Sequence, residues 1–557
     1  MTPLPTPPPT FRRSRWRLAA VGALSVLTTG SLIAAAGPGT AARASGRPFF
    51  SPGNLLVSGS VYTTRPNAIV PGVTVLPLGC TSGCVTANSS AAYPGVWNND
   101  SVDGSFGITS PIFLQQLTPA GQPVNKLFVP SARGSGMGSQ NGMVTSFSSK
   151  SEMALNLSAT GRYVTFMGYE APPSSIDVSN SNTPGVVDPS NPVPSSYYRV
   201  VGQVNNQGQF SFTRTNAYSA NHGRAAYLND ANGTDLYYAA GNAGNGNTPQ
   251  PDGIILGAGS QLVTPQAGPL NEQQAGPLAP LGSFNITQLG DKPDKVGKDT
   301  NFRGLTVFNN VVYFTKGSGG NGVNTVYFID TTGTACPNGT GLPAPGAALP
   351  TSPIAYDPAV LQTEGVTPYN MCILQGFPTA LKSTTAFPFG IWFANANTLY
   401  VADEGNGDNT FSTQTGTYSV AAGQTTAGLQ KWIFNGTSWQ LAYTVKAGLA
   451  LGVPYTVPGY PTGDNPASGL PWSPGTDGLR NLTGRVNPDG SVTIWAITST
   501  VSGNGDQGAD PNKLVTITDQ PSASSPAPGE AFQTVQTAAN RQVLRGVSFT
   551  PGTGAAG

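Results

Sequence analysis

Arg303-Gly-Leu-Thr-Val-Phe308 followed by Val311-Val-Tyr-Phe314 is a two-strand phrase, and it recurs along the chain. Upstream it reads Glu152-Met-Ala-Leu-Asn-Leu157 with Arg162-Tyr-Val-Thr-Phe166, and Arg224-Ala-Ala-Tyr-Leu228 with Leu236-Tyr-Tyr238. Downstream it reads Phe389-Gly-Ile-Trp-Phe393 with Thr398-Leu-Tyr-Val401, and Arg480-Asn-Leu-Thr-Gly484 with Val492-Thr-Ile-Trp495. A last half-copy, Arg545-Gly-Val-Ser-Phe549, has no second strand after it. The copies are spaced by roughly 60–90 residues, the signature of units that bury their faces only against one another.

Each phrase is followed by an outer hairpin. Tyr198–Val204 and Gln209–Phe212 flank the turn sequence Asn-Asn-Gln-Gly, Leu429–Phe434 and Trp439–Tyr443 flank Asn-Gly-Thr, and Lys513–Thr518 is followed by Phe532–Val535. Four antiparallel strands per unit make a propeller blade. Near the N-terminus, Asn54–Val61, Ile112–Leu117 and Val124–Val129 supply three strands with no inner strand before them. The half-copy at Arg545 supplies the missing one. This predicts an all-β, single β-propeller of six four-stranded blades, closed one-plus-three by the C-terminal strand, with seven blades as the alternative. The third blade is the weakest, with Gly253-Ile-Ile-Leu256 and Phe284-Asn-Ile-Thr287 as its outer strands. Small residues just after the aligned first position (Ala154, Ala225, Ala226, Gly304, Gly390, Gly546) suit strands crowded around an axis.

Composition agrees. Gly (71) and Pro (50) are abundant, as turns between short strands require, and helix-period patterns are nearly absent beyond the first 40 residues. Only 10% of residues are charged and the net charge is +1, which leaves no field to attract nucleic acid.

Residues 1–44 read as an export signal: Arg12 to Arg17 is basic, Leu18 to Ala36 apolar, and Ala42-Arg43-Ala44 an A-x-A cleavage site. The alternative is a retained membrane anchor, and the paired arginines loosely fit the twin-arginine route. The propeller then spans 45–551 and residues 552–557 form a flexible tail. Four cysteines in a secreted or cell-surface chain predict two local disulfides, Cys80–Cys84 and Cys336–Cys372, rather than a metal site.

Ser151 to Tyr169, Asn98 to Gly107 and Leu544 to Pro551 together resemble a group of uncharacterised secreted bacterial propeller-like proteins. The likeness covers most of 50–551. It implies fold and export, and brings no catalytic residues with it.

Long irregular segments (62–110, 169–196, 403–427, 446–478) open on the face where the first inner strands begin. Others (257–282, 331–370) open on the opposite face. Function concentrates in loops on a rigid scaffold. Read around the ring, the first position is Arg545, Glu152, Arg224, Arg303, Phe389, Arg480. Four arginines and a carboxylate at the channel mouth suit an anionic small molecule or glycan. The bland reading has each arginine bracing one blade to the next through acids such as Glu170, Asp403 or Glu404. The loop Asp403-Glu404-Gly-Asn406-Gly-Asp408-Asn409 offers oxygens to a calcium ion, without matching the EF-hand order, and Asp100-Ser-Val-Asp103 is similar. A polar turn is the alternative there; no other cofactor is implied.

The single histidine, His222, excludes multi-histidine metal sites and reads as a polar mouth residue rather than a base. Acid–base pairs remain in Glu152 with Glu170 or Asp403 with Glu404. The glycine-rich stretch 317–322 has no following helix, so it reads as a loop, not a nucleotide cradle. These features favour a secreted, monomeric binding protein that meets a ligand, glycan or protein on its loop-rich face, with Tyr197, Tyr455 and Tyr460 as exposed contacts. The rival is a hydrolase or lyase on an anionic substrate, with Glu152 as acid or base.

Overall fold

The computed structural model describes residues 48–62, 108–131, 142–146, 153–176, 195–241, 302–317, 323–351, 371–380 and 385–554, apart from isolated positions within these spans, together with short pieces at 70, 73, 75–76, 85–86, 178–179, 181–184 and 261–263. The predicted signal, Glu152, the Cys80–Cys84 pair, Asp100 and Asp103, and the two outer strands expected for the third unit all lie outside the described residues.

The fold is all-β, a β-propeller arrangement of mostly antiparallel sheets with almost no helix. Closure pairs the two ends of the chain. Gln542–Phe549 lies beside Leu55–Val61, with Leu55 opposite Phe549 and Val61 opposite Gln542, and Ile112–Leu117 and Pro123–Phe128 complete that sheet. Its inner strands are buried because each is flanked on both faces by other sheets, so Leu55, Leu56 and Val57 are fully enclosed.

Three more sheets have four strands in sequence order. They begin at Asn156–Leu157, Pro388–Asn395 and Gly475–Val486. The sheet that begins at Phe302–Phe308 has five strands. Its insertion folds back so that Thr340–Gly341 runs parallel to Met371–Leu374, and the predicted Cys336–Cys372 disulfide ties the two ends of that insertion together. Five blades of four or more strands are thus formed. Gly223–Asn229 and Leu236–Gly241 carry Gln261–Val263 as their third strand, in a sheet of three among the described residues.

The innermost strands touch in cyclic order: Gln542–Phe549, Asn156–Leu157, Gly223–Asn229, Phe302–Phe308, Pro388–Asn395, Gly475–Val486, and back to the first. Side chains of neighbouring sheets fill the wedges between them. Phe308 stacks on Phe393 at 4.5 Å between ring centroids, and Trp495 meets Phe549 edge-on at 5.6 Å. No helix among the described residues is long and apolar enough to cross a membrane.

Candidate functional site

The aligned first positions share one backbone feature. In the five inner strands whose first position is described, the register slips at that residue, so two residues face one. Arg224 lies between the paired Gly223 and Ala225, and Arg545 between Leu544 and Gly546. Arg303 and Gly304 sit between Phe302 and Leu305, Phe389 and Gly390 between Pro388 and Ile391, and Arg480 and Asn481 between Leu479 and Leu482. Such bulges re-aim a side chain out of the pleat.

The residue after the bulged side chain meets the next blade's backbone. A Cβ on Gly304 would stand 2.0 Å from the carbonyl oxygen of Phe389, one on Gly390 2.6 Å from that of Arg480, and one on Gly546 2.2 Å from that of Met153. Only glycine permits this approach. Where the sequence has Asn481 instead, its Nδ2 donates to the carbonyl of Arg545 at 2.7 Å.

A hydroxyl on the second strand spans the same gap. Thr315 accepts from the Gly304 N–H at 3.0 Å and donates to the Phe389 carbonyl. Ser58 accepts from the Gly546 N–H and donates to the Met153 carbonyl, both at 2.9 Å. These relays were invisible to sequence reasoning, because Thr and Ser are ordinary strand residues until the blades are in register.

The guanidinium groups are brought together but not presented to solvent: Arg545 is 2% exposed, Arg480 3%, Arg224 5% and Arg303 7%. Glu404, also buried, joins two blades. Arg303 Nη1 reaches its Oε1 at 2.7 Å and Arg480 Nε its Oε2 at 3.3 Å. Arg303 also lies over the Phe389 ring, Arg224 donates to the Phe302 carbonyl, and Arg545 donates to Ser60 Oγ. Burial pulls the Arg480 guanidinium below its ordinary pKa against the opposing pull of Glu404; the nearby charges of Arg545 and Arg303 add to the lowering. His222 is buried beside Arg224, Arg199 and Arg303. Desolvation first, and those charges second, hold its pKa well below the ordinary value, and its Nδ1 lies 2.9 Å from the Tyr169 hydroxyl.

The carboxylates of the 403–409 loop go separate ways. Asp403 accepts from the Phe387 and Gly405 N–H groups and from Gln430, Glu404 turns to the arginines, and Asp408 accepts from the Thr410 N–H. They do not converge on one point. Among the described residues the one group of three such side chains within reach of a common ion is Asp330 with the disulfide-bonded Cys336 and Cys372. Burial pushes the Asp403 pKa up to about 6, against the hydrogen bonds it receives. Glu170 is bound by Arg214, on the outermost strand of its own sheet.

The tyrosines expected as exposed contacts are not exposed. Tyr460 is buried and donates to Asp510, while Tyr455 is half-buried, donates to the Pro511 carbonyl and carries Lys513 over its ring at 3.7 Å. Tyr197 is half-buried against Val144, Tyr169, Ala171 and Val178. The long segments fold onto one another: Val457, Tyr460 and Trp472 form a small core with Tyr62 and Val543, and polar loop composition concealed it.

An open cavity lies at the opposite end of the same strands. It holds about 320 Å³ and takes a lining residue from every inner strand: Leu157, Tyr227, Phe308, Trp392, Arg485 and Phe549. These residues stand three to five positions beyond the aligned first residues, so the cavity begins about 10 Å further along each strand. Trp392 is fixed there by a glycine. A Cβ on Gly484 would lie 2.6 Å from the indole, so the ring rests on bare backbone. Sequence reasoning missed this site because it aligned the starts of the inner strands and left their ends unread, although Trp392 and Phe393 stand in the recurring phrase.

No protein-family model matches the sequence, and no curated protein does. Among solved structures it is similar to apo AztD from Citrobacter koseri (10% identity, TM-score 0.25, covering 78% of this chain and 95% of that one). An endo-1,4-beta-xylanase from Bacteroides thetaiotaomicron gives 10% identity and a TM-score of 0.27 over 71% and 99% of the two chains. Synechocystis apocarotenoid oxygenase gives 10%, 0.19, 80% and 60%. Similarity this distant says nothing about individual residues or chemistry.

Proposed function

We propose that this chain is an exported, non-catalytic, ligand-binding propeller of six blades, with its ligand seated in the cavity at the aromatic end of the channel. The observation that carries the reading is the cavity itself. It is concave, mostly apolar, built on rigid strands, and within the size range of small-molecule sites. The six-blade count is supported by the six inner strands that meet in cyclic order and all contribute to that one space. Export is supported by the Cys336–Cys372 disulfide together with the basic, then apolar, N-terminal sequence.

In this reading the arginine end is a clamp. Arginines from the blades on either side grip one buried carboxylate of the blade between them, and a charge cluster of that kind fixes geometry more than it recruits ligands. The neutral dye N-phenyl-1-naphthylamine, titrated into the purified chain, should show saturable fluorescence enhancement that Gly484→Val abolishes by driving the indole into the cavity. A wild-type protein that gives no saturable signal overturns the reading. Sulfate titrated by calorimetry should give no heat; heat that vanishes in Arg303→Ala would move the site to the arginine end.

A further inference from the structure

We infer that the cavity takes an amphipathic aromatic monoanion, its ring system between Trp392 and Phe308 and its carboxylate on Arg485; this rests on the cavity being the ligand site. Two flat walls come from different blades. Trp392 lies against the Gly484 backbone and stacks with Tyr400 at 5.9 Å, so it does not rotate away. Phe308 is backed by Phe393, stacked nearly parallel at 4°. Both are half-buried, so each keeps ring surface for a guest. Rigid aromatic walls bind planar apolar bodies at low entropic cost.

The charge selectivity comes from one residue. Arg485 is the one charged side chain in the lining, and no carboxylate among the described residues pairs with it. Its guanidinium lies 5.5 Å over the ring of Trp495, which is itself buried and donates to the Pro119 carbonyl. The side chain is therefore laid down on an aromatic face at the rim, with its N–H groups available in the plane of the fork. A carboxylate approaching from the mouth meets that fork with two charge-assisted bonds; a neutral hydroxyl of the same size accepts only a single weaker one. The remaining polar lining consists of hydroxyls and Asn156, several already engaged: Ser158 donates to Asp230, Asn156 to the Ala226 carbonyl, and Thr553 accepts from the Gly53 N–H. The Tyr227, Thr306, Thr483 and Ser548 hydroxyls remain, dispersed in a lining that is mostly aromatic and aliphatic, and that surface favours a flat apolar body with one anionic group.

The test compares 2-naphthoate with its neutral counterpart 2-naphthylmethanol by fluorescence titration of the full chain. Wild type should bind the carboxylate at least tenfold more tightly. Arg485→Gln should bring the two within about twofold by weakening the carboxylate alone, and Arg485→Lys should restore part of the preference. Because Arg485 is exposed, these variants should melt with the wild type, which a thermal scan checks. Equal affinity of both probes for wild type, or a preference unchanged in Arg485→Gln, overturns the monoanion assignment and leaves the cavity reading intact. Absence of binding by either probe overturns both.

Discussion

The two ends of the six inner strands differ in almost every physical respect. At the arginine end the strands bulge, the side chains carry charge, and nearly every polar group is locked into a neighbour. Three to five residues further on the strands run regularly apart from one slip between Phe393 and Asn395, the side chains are mostly apolar, and space is left over. The contrast teaches how a repeat divides its labour. Where the blades come closest, the sequence must supply glycine, hydroxyl and ion-pair devices to match one backbone to the next, and these leave no room for a guest. Where the wedges widen, large side chains stand apart and a cavity remains.

If that division is right, variants at the two ends separate cleanly. The largest loss is expected from Glu404→Gln, which leaves Arg303 and Arg480 buried without their shared carboxylate. Breaking such a pair costs about 3–5 kcal/mol, to be read in urea unfolding, with dye binding by the folded fraction unchanged. A loss below about 0.5 kcal/mol would remove the clamp from the comparison. Gly304→Ala comes next. Its new methyl group overlaps the Phe389 carbonyl, and the strain should cost about 1–3 kcal/mol or more, whereas alanine at an exposed glycine of ordinary φ such as Gly423 should cost less.

Thr315→Val keeps the side-chain volume and removes the relay between the Gly304 N–H and the Phe389 carbonyl, at about 1–3 kcal/mol for the stranded groups. Rescue by Ser, but not by Ala, would show that the hydroxyl is what matters.

A pH titration sharpens the picture at Asp403. Its folded pKa is raised to about 6 from an ordinary 3.8, so the folded state holds the proton more tightly than the unfolded chain. Its contribution to stability is therefore greatest below about pH 4 and declines as pH rises from there through about 6. The difference in unfolding free energy between wild type and Asp403→Asn should accordingly shift against wild type by on the order of 1–3 kcal/mol across that window. A flat difference would mean that the three donors around Asp403 fully offset its burial, and a difference that moves in favour of wild type would mean that they outweigh it. The largest effect on ligand should come from Trp392→Ala: a half-buried ring packed on Gly484 and Tyr400 leaves a loss of about 1–2 kcal/mol, while binding of the neutral dye disappears.

Much of the architecture was legible in the chain. The recurring phrase located the inner strands, and the unpaired half-copy at Arg545 announced a sheet shared by the two ends, because a strand that lacks its partner must find one elsewhere. The small residues after the first position were equally readable, since crowding near an axis excludes side chains whatever the blade count. The alignment of four arginines was visible as well, and so was their alternative role as braces.

What those arginines face was not legible. A sequence shows that guanidinium groups recur at one register; it cannot show that bulges turn them inward, or that Glu404 from a loop reaches two of them at once. The same holds for Lys431 and Asp519, an ion pair on third strands of adjacent sheets with Nζ and Oδ2 at 3.0 Å, each buried and with no repeated counterpart to give it away. Tyr455 and Tyr460 looked like surface aromatics because their surroundings are polar, yet long loops bury side chains against other loops. The cavity depends on how far apart six strand ends stand after the wedges have packed. Periodicity determined which residues lie on the inner strands; only the closed ring decided which of them meet, which are sealed from water, and where empty volume is left.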